Sequence, residues 1–353
     1  MAIYKITFTP SGPYFFGNEK TFEYKKKYKK ANPKEDNIYF IRGEATPSQS
    51  TVFGSLRYLL LPEKGFDKLK FENNIAAIGE EGFDIDSDKV QEFGKITRMS
   101  ALFISKGNEL FIPTPFDHRK EPKITEYTPF KQYSKLETVD KEEKLYTEEY
   151  DAKEGISDSF MSLENNRIYE DLIGGVVRVG INRKDNKEGF FKREYKYLKE
   201  GYSFCVYAEI DNMDLKDQAV QMVTMGQGKV PFAVKFEIEN EIEKIDTVYE
   251  KVEAAIKKMN IGYKRFYCLS DMVVGNTLYE NTKFAVVQTR DHRGFKRNDD
   301  RYTKSMVLHR LVKAGSVFLV DDNVKLEAFA KTTINQKNSY TIGYNQIITI
   351  QKA

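Results

Sequence analysis

Short apolar runs broken by polar turns recur along the chain, and their order limits the fold more than any other feature. AIYKITFTP alternates apolar and polar residues as a β-strand does. A helix is predicted at RGEATPSQSTVFGSLR, and two runs hinged at residues 106–108 then predict a hairpin. DLKDQAVQMVTM predicts a short second helix, and VPFAVKFEI predicts the closing strand. This order of strand, helix, hairpin, helix and strand is typical of a ferredoxin-like α+β domain with insertions.

A second, more ragged round of elements occupies the C-terminal part of the chain. The spacing of Val248, Val252 and Ala255 predicts a helix, and four strand-like runs follow it: YKRFYCLS, KFAVVQT, AGSVFLVDD and YNQIITIQ. We therefore predict two tandem ferredoxin-like (RRM-like) domains, residues 1–240 and a reduced unit at residues 241–353. Residues 116–166 are charged and polar without a sustained period, which is typical of a functional or partner-ordered insertion in the first domain.

Composition narrows the class of protein and its compartment. The 56 basic residues nearly cancel the 53 acidic ones, so the net charge of +3 excludes a uniformly basic chain and makes any polyanion site local. Cys205 and Cys268 lie in apolar strand-like runs, as expected in a reducing compartment. The chain shows no signal-peptide pattern and no run of about 18 apolar residues. We expect a cytoplasmic protein that does not enter a membrane.

Most catalytic and metal-binding patterns are missing from the sequence. His118, His292 and His309 do not combine with the cysteines at the spacing of a zinc site. The loop at residues 226–229 lacks the gap and the hydroxyl residue of a Walker motif, and no G-x-S-x-G occurs. Acidic pairs such as Asp299 with Asp300 are typical of solvated loops. We expect neither a metal nor another cofactor, and no catalytic residue.

The first predicted helix begins with hydroxyl groups rather than with charges. Thr46 is the predicted N-cap, Pro47 fits the first helical position, and Gln49 completes a capping box. Backbone donors at the positive end of the helix dipole would lie among these hydroxyls, and such an end suits an anion. The hydroxyl residues are Ser48, Ser50 and Thr51, and the arginines on either side are Arg42 and Arg57.

Three further stretches combine basic residues with glycines or aromatics. Gly226 and Gly228 let the backbone approach a ligand and Lys229 adds a charge, although an ordinary helix-to-strand turn has the same pattern. RVGINRKDNKEGFFKRE predicts a basic hairpin and TRDHRGFKRNDDRYTKSMVLHR a mobile basic loop. Cations beside exposed aromatics suit single-stranded nucleic acid, and a charged, solvated surface is the alternative. The candidate cations are Arg178, Arg183, Lys192 and Arg193 in the hairpin and Arg290, Arg293, Lys296 and Arg297 in the loop.

The order of these landmarks resembles the RAMP superfamily of CRISPR effector subunits. Within it, the chain is most similar to the subunit that caps the tagged end of the guide RNA (crRNA) in type III-B Cmr complexes. The resemblance is carried by PYFFGNEKTF, RGEATPSQSTVFGSLR, RVGINR with EGFFKREYKYLKEGYSF, AGSVFLVDD and IGYN. It implies two ferredoxin-like units and no catalytic centre in this subunit. It also implies antiviral defence, in which this subunit grips the 5′ repeat-derived tag beside the large polymerase-like subunit and the first backbone subunit, with target RNA as an indirect partner.

By position, the resemblance assigns RNA contact to the helix start at residues 48–51, to Arg57, to the loop at residues 226–229 and to the hairpin at residues 178–193. The sequence departs from the family in that loop, where adjacent glycines are commonly followed by an arginine. Here Lys229 stands in place of the arginine, and a lysine binds phosphate without bidentate geometry.

Two alternatives to a guide-binding subunit stay open at the level of sequence. Some RAMP relatives process precursor crRNA by metal-independent cleavage, and His292 or His309 would then act as a general acid–base group. A pure scaffold is the other alternative, with basic loops that contact only the acidic groups of other proteins.

Overall fold

The computed structural model describes residues 2–17, 39–62, 72–80, 82–119, 124–137, 142–150, 158–182, 189–211, 220–239, 245–256, 263–275, 278, 280–298, 301–304, 307–325, 329 and 333–350. The helices in these ranges are α1 (Gln49–Leu59), α2 (Glu72–Ile78), α3 (Ile245–Ala255) and α4 (Thr333–Thr341). The strands before residue 240 are β1 (Ala2–Pro10), β2 (Tyr39–Arg42), β3 (Ile96–Met99), β4 (Phe103–Lys106), β5 (Glu109–Pro113), β6 (Ser134–Glu137), β7 (Glu143–Tyr146), β8 (Phe160–Ser162), β9 (Ile168–Tyr169), β10 (Ile173–Asn182), β11 (Gly189–Leu198), β12 (Ser203–Ile210), β13 (Gln221–Met225) and β14 (Val230–Ile238). The later strands are β15 (Lys264–Cys268), β16 (Phe284–Val286), β17 (Thr289–His292), β18 (Phe295–Asn298), β19 (Arg301–Lys304), β20 (His309–Val312), β21 (Val317–Val320) and β22 (Ile347–Ile350).

The largest sheet is built around the first strand. β1 pairs antiparallel with both β12 and β14. The strand order is β13-β14-β1-β12-β4-β5-β8-β9, and β3 pairs with β12 beside this path. The alternation read in the first run is confirmed, because Tyr4, Ile6 and Phe8 are all buried on one face. The predicted hairpin is also confirmed: β4 and β5 pair, and Gly107 between them has a φ of +60°.

Both faces of this nine-stranded sheet carry a hydrophobic core. One face packs against α1, and the other packs against α3 and against strands β15 and β22. Cys205 and Tyr207 of β12 lie in the second core. Burial raises the pKa of the Cys205 thiol to about 12, which makes this thiol an inert core group. The C-terminal elements therefore cover the rear of the sheet formed by the N-terminal ones.

The C-terminal elements form a four-stranded antiparallel sheet in the order β16-β21-β15-β22. The helix predicted before it is confirmed as α3, whose buried stripe includes Val248, Val252 and Ala255. β10, β11 and β2 form a separate three-stranded sheet, and β10 with β11 is the predicted basic hairpin. The whole is a mixed α+β fold with mostly antiparallel sheets and few helices. No helix in the described ranges is long and apolar enough to cross a membrane.

Two sequence expectations about secondary structure are wrong. Residues 221–225, expected in a second helix, form β13 and pair with β14, while residues 212–219 lie outside the described residues. The reason is a period of two: Val223 and Met225 are buried, whereas Met222 and Thr224 are exposed. Residues 289–310, expected as a mobile loop, contain two antiparallel strand pairs, β17 with β20 and β18 with β19. Backbone pairing holds these strands although their sequence has no apolar period.

Part of the segment at residues 116–166 belongs to the core. Phe116, Asp117, Tyr127 and Phe130 are buried. The Asp117 carboxylate accepts a hydrogen bond from Arg265 of β15 at 2.7 Å and another from the Tyr127 hydroxyl at 2.8 Å. β6 and β7 of the same segment pair as a hairpin. The missing period therefore reflects short strands and a buried ion pair, which leave no repeating apolar pattern.

Candidate nucleic-acid interface

An open cleft of about 740 Å³ lies among the start of α1, the end of β13 and the turn after β17. These elements come from three stretches that the sequence analysis singled out separately. The predicted site residues that line the cleft are Ser48, Ser50, Thr51, Arg57, Gly226, Arg290 and Arg293. The cleft is also lined by the exposed ring of Tyr58, by the largely buried rings of Phe16, Phe53 and Phe83, and by His292. The fold thus brings hydroxyl groups, cations and aromatic rings together at one site.

The start of α1 is a network of hydroxyl groups. Ser48 has an extended backbone and is the N-cap, and its Oγ accepts a hydrogen bond from the Thr51 N–H at 3.2 Å. The same Oγ lies 3.0 Å from the Ser50 Oγ and 2.9 Å from the Thr51 Oγ1. The prediction of Thr46 as the cap is wrong, because the helix begins two residues later than expected and Pro47 precedes the cap.

The Gln49 side chain does not complete a capping box. Its buried Nε2 donates hydrogen bonds to the carbonyl oxygens of Ser100 at 2.9 Å and Gly343 at 2.7 Å. The next residue in the turn after α4, Tyr344, places its hydroxyl 3.3 Å from the Ser50 Oγ and accepts from the Ser50 N–H at 3.4 Å. Burial raises the pKa of Tyr344, so this hydroxyl stays protonated. The C-terminal turn therefore completes the hydroxyl network of α1.

This network changes how the site can hold an anion. The backbone N–H groups of Ser50 and Thr51 are already bonded to protein oxygens. An anion in the cleft would therefore meet hydroxyl donors more readily than bare amides. The sequence analysis did not predict that Tyr344 bonds to the start of α1. The one sequence signal near it was the IGYN stretch, which contributed to the family resemblance.

Arg290, a predicted phosphate contact, is bonded to several groups of the protein itself. Its guanidinium is buried, with Nη1 3.1 Å from the Asp271 carboxylate, Nε 3.8 Å from the Glu44 carboxylate and Nη2 donating to the Thr46 carbonyl at 2.7 Å. Burial alone would lower the pKa of Arg290, but Asp271 and Glu44 raise it above its ordinary value. The charge is thus balanced inside the protein, and Arg290 fixes the chain that leads into α1.

Arg57 lies in the cleft wall but is directed toward α2. Its Nε donates to the carbonyl of Ile78 at 2.8 Å and its Nη2 to that of Gly79 at 3.1 Å, at the C-terminal end of the helix. The guanidinium also lies 5.5 Å from the centre of the Phe53 ring. The side chain therefore joins two helices at the margin of the cleft.

The loop at residues 226–229 is the turn of the β13–β14 hairpin, and the expected helix-to-strand loop is wrong because a strand precedes it. Gly226, Gly228 and Lys229 have φ values of +74°, +93° and +51°. A Cβ at Gly226 would lie 2.6 Å from the carbonyl oxygen of Phe15, which also accepts from the Gln227 N–H at 2.9 Å. Close approach requires glycine at this position. Gly228 and Lys229 are exposed and do not line the cleft.

The basic hairpin presents two arginines side by side. Arg178 of β10 lies directly opposite Arg193 of β11. The Arg178 guanidinium lies 5.0 Å from the centre of the Tyr195 ring, and that of Arg193 lies 5.5 Å from the centre of the Phe15 ring. Both guanidinium groups therefore lie against aromatic rings of neighbouring strands or loops. Since Phe15 also holds the β13–β14 turn, the hairpin adjoins the structure that frames the cleft.

The remaining predicted cations are spread more widely. Arg42 is exposed at the end of β2, with its guanidinium 5.8 Å from the centre of the Phe40 ring. Lys192 is exposed on β11. Arg183 and the side chains of Lys296 and Arg297 lie outside the described residues.

His292 and His309 lie in the segment that the sequence predicted as a mobile basic loop, and their surroundings differ. His292 lines the cleft, and its ring centre lies 6.1 Å from that of Tyr344 in an edge-to-face contact. His309 is its cross-strand neighbour, with Nε2 3.1 Å from a carboxylate oxygen of Asp86. Within the described ranges, no group of three or more His, Cys, Asp and Glu side chains could hold a metal ion. His292 is therefore the histidine that a ligand in the cleft would meet.

Comparison with known families identifies the chain. A family model described as CRISPR-associated protein (Cas_Cmr3) matches residues 6–352, nearly the whole chain. The antiparallel α+β fold and its hydroxyl-lined cleft are thus those of a CRISPR-associated protein. The chain belongs to the Cas_Cmr3 family, which confirms the resemblance read from the sequence.

Solved structures give weaker similarities. A chain of the type III-B Cmr-beta complex bound to cognate target RNA and AMPPnP (state 1) is 13% identical with a TM-score of 0.49, and the match covers 99% of this chain and 98% of that chain. A chain of the type III-B Cmr-beta complex bound to cognate target RNA is also 13% identical, with a TM-score of 0.47, and the match covers 98% of this chain and 96% of that chain. A chain of the Csm3–Csm4 subcomplex in the type III-A CRISPR-Cas interference complex is 13% identical, with a TM-score of 0.36, and the match covers 90% of this chain and 93% of that chain. No curated protein sequence matches the chain.

Proposed function

We propose that this chain is the non-catalytic, crRNA-binding subunit of a type III-B Cmr ribonucleoprotein in antiviral defence. Its cleft would hold the 5′ repeat-derived tag of the crRNA. The observation that carries the proposal is the meeting, in one cleft, of the hydroxyl network at Ser48, the turn at Gly226 and the basic segment at Arg293. Family membership supports it. In the complex, the subunit would link the large polymerase-like subunit to the first backbone subunit and contact target RNA only indirectly.

The proposal includes a two-unit organisation. Residues 1–240 would form one ferredoxin-like unit with inserted segments, and residues 241–353 would form a reduced second unit. The strands support this division, since the nine-stranded sheet uses residues before 240 and the four-stranded sheet uses residues after 263. The tag would then lie against the first unit and contact the second through its C-terminal turn.

Chemistry in the cleft suits a phosphate chain. Phosphate oxygens would accept hydrogen bonds from the hydroxyls of Ser50 and Thr51, while the buried Tyr344 hydroxyl would hold Ser50 in place. Cationic groups on Arg293 and on exposed Lys229 would add attraction that does not depend on sequence. The Arg178–Arg193 pair would extend the path along the hairpin, and bases turned away from the phosphates would stack on aromatic rings.

The decisive experiment replaces Ser50 by glutamate. A carboxylate near a helix start favours the helix, so Ser50→Glu should fold normally while it repels a phosphate in the cleft. We expect fluorescence anisotropy to show at least about tenfold weaker binding of tag-bearing RNA, equivalent to about 1.4 kcal/mol. Binding by the unchanged chain should fall as salt rises, with a logarithmic slope of about −0.7 for each phosphate contacted.

The matched control is Ser134→Glu, which adds the same charge on the exposed strand β6. If Ser50→Glu and Ser134→Glu bind tag-bearing RNA with equal affinity, the cleft is not the RNA site. An affinity that does not change between low and moderate salt would contradict the electrostatic part of the proposal. Melting curves of both variants show whether folding is intact.

One observation favours a second function, metal-independent cleavage of precursor crRNA. His292 lines the cleft beside Tyr344 and could take the proton of a 2′-hydroxyl as it attacks the adjoining phosphate, while the bond to the 5′-oxygen of the next nucleotide breaks and a 2′,3′-cyclic phosphate remains. Incubation with repeat RNA in EDTA tests this, because product that disappears in His292→Ala or His309→Ala would establish the enzyme. A pure scaffold differs from both functions, since ultraviolet crosslinking of the assembled complex would then yield no peptide of this chain joined to RNA.

A further inference from the structure

β10 is an open edge of its three-stranded sheet. It is ten residues long, and its antiparallel pairing with β11 continues without a register shift from Ile173 to Asn182. Within the described part of the chain, no strand or bridge pairs with its other side. In an antiparallel pair, about half of the main-chain N–H and C=O groups of an edge strand point away from its partner. β10 therefore presents a long row of groups that another strand can bond.

Side chains on both faces of β10 are exposed. Val176, Val177 and Val179 have relative exposures of 36%, 51% and 63%. Val176 lies on one face and the other two valines on the opposite face, because side chains alternate along a strand. Edge strands are usually protected by a proline, a bulge, several charges or a covering segment. The stretch GGVVRVG has neither a proline nor a bulge, and Arg178 is its only charge.

Charge indicates what kind of strand fits this edge. Arg178 faces the same side of the sheet as Arg193, and Lys192 is exposed on the other side. Glu194, the acidic residue of β11, is already paired with Lys196, with Nζ 2.7 Å from its carboxylate. Arg178 at the open edge therefore attracts an acidic group of an added strand. A second copy of β10 would bring another Arg178 to the same edge and would be repelled.

We propose that β10 accepts an extended segment of a partner protein as an added strand, with an Asp or Glu of that segment facing Arg178. Main-chain hydrogen bonds supply the affinity and the exposed valines pack against apolar residues of the added strand. Nucleic acid does not fit this edge, because a phosphate chain lacks the alternating donors and acceptors of a strand. The edge lies outside the cleft but shares Arg178 with the RNA path proposed along the hairpin, so an added strand and RNA would compete for this arginine.

The test uses the full chain and a fluorescent peptide of the same length as β10, with alternating valine and threonine and one central glutamate. A matched peptide carries lysine in place of the glutamate. We expect the glutamate peptide to bind at least about tenfold more tightly. Amide hydrogen exchange should slow at residues 174–180 when it binds. Arg178→Glu should reverse the preference, and Lys337→Glu, at an exposed position of α4, should leave it unchanged.

Each other outcome overturns the proposal. The first is that residues 174–180 are not protected from exchange at about 1 mM glutamate peptide, and the second is that the two peptides bind with equal affinity. Self-association of the chain through β10 in sedimentation would identify a second copy as the occupant. Protection of β10 by single-stranded RNA, with none by the peptide, would identify a nucleic-acid surface. Melting curves of both variants confirm that the chain is folded in every comparison.

Discussion

At the scale of single residues, two buried arginines join distant parts of the chain. Arg265 is paired with Asp117, which lies 148 residues earlier, and Arg290 donates to the carbonyl of Thr46, 244 residues earlier. A buried ion pair contributes little net stability compared with apolar residues of the same size, but removal of one partner leaves a charge without compensation. Both arginines therefore fix the arrangement of segments more than they raise the overall free energy of unfolding.

The Arg265 pair yields the first prediction at this scale. Asp117→Ala should lower the free energy of unfolding by about 3–5 kcal/mol, because the buried Arg265 guanidinium would lose its counter-charge. Chemical denaturation measures this loss. Asp171→Ala is the control, since Asp171 is exposed and its partner Lys199 stays solvated. Equal losses in the two variants would show that the buried pair does not anchor residues 116–166.

A rescue variant separates loss of charge balance from loss of packing. Asp117→Leu combined with Arg265→Met replaces the ion pair by apolar side chains of similar size. It should recover most of the stability that Asp117→Ala loses. If it does not, the surrounding hydrogen bonds of Tyr127 account for the effect.

At the scale of elements, local patterns predicted those elements whose burial follows one clear period. The spacing of Val248 and Val252 predicted α3, and the polar hinge at Gly107 predicted its hairpin correctly. The pattern failed at β13, where VQMVTM fits a helix or a strand and pairing with β14 decides between them. It failed again at the start of α1, because the partner of Gln49 at Gly343 is 294 residues away.

The candidate site shows the same division between local and distant information. Its hydroxyl-rich helix start and its glycine turn were recognisable as separate stretches. Their meeting in one cleft was not, since it depends on how the sheets pack. The structural role of Arg290 was equally hidden, because Asp271 and Glu44 are distant acids that no local pattern connects to it.

The β13–β14 turn offers a matched pair of substitutions. Gly226→Ala and Gly228→Ala each place a side chain at positive φ, which costs roughly 1–2 kcal/mol. Only Gly226→Ala also brings a Cβ within 2.6 Å of the Phe15 carbonyl oxygen, whereas Gly228 has open space. We expect Gly226→Ala to lose more stability than Gly228→Ala. We also expect only Gly226→Ala to bind tag-bearing RNA more weakly. Thermal unfolding and anisotropy measure both, and identical behaviour of the two variants would refute the role of this close approach.

At the scale of the whole molecule, the two proposed units share one hydrophobic core. Residues of the large sheet and of the C-terminal elements meet in it. From the large sheet come Phe103, Cys205 and Tyr207, and from the C-terminal elements come Ile245, Val248, Tyr267 and Ile348. The hydrogen bonds of Gln49 and Tyr344 cross the same division at the cleft. Division into units by strand order therefore does not imply that the units fold independently.

Truncation tests this dependence. A chain ending at residue 240 would expose the rear face of the nine-stranded sheet, including Phe103 and Tyr207, and would lose the Tyr344 hydroxyl that bonds to Ser50. We expect light scattering to show that it aggregates, and we expect no measurable affinity for tag-bearing RNA. Co-expression with residues 241–353 should restore both properties, because the second fragment covers the apolar face and completes the hydroxyl network. A monomeric truncated chain with full RNA affinity would mean that the first unit folds alone and that its cleft needs nothing from the second.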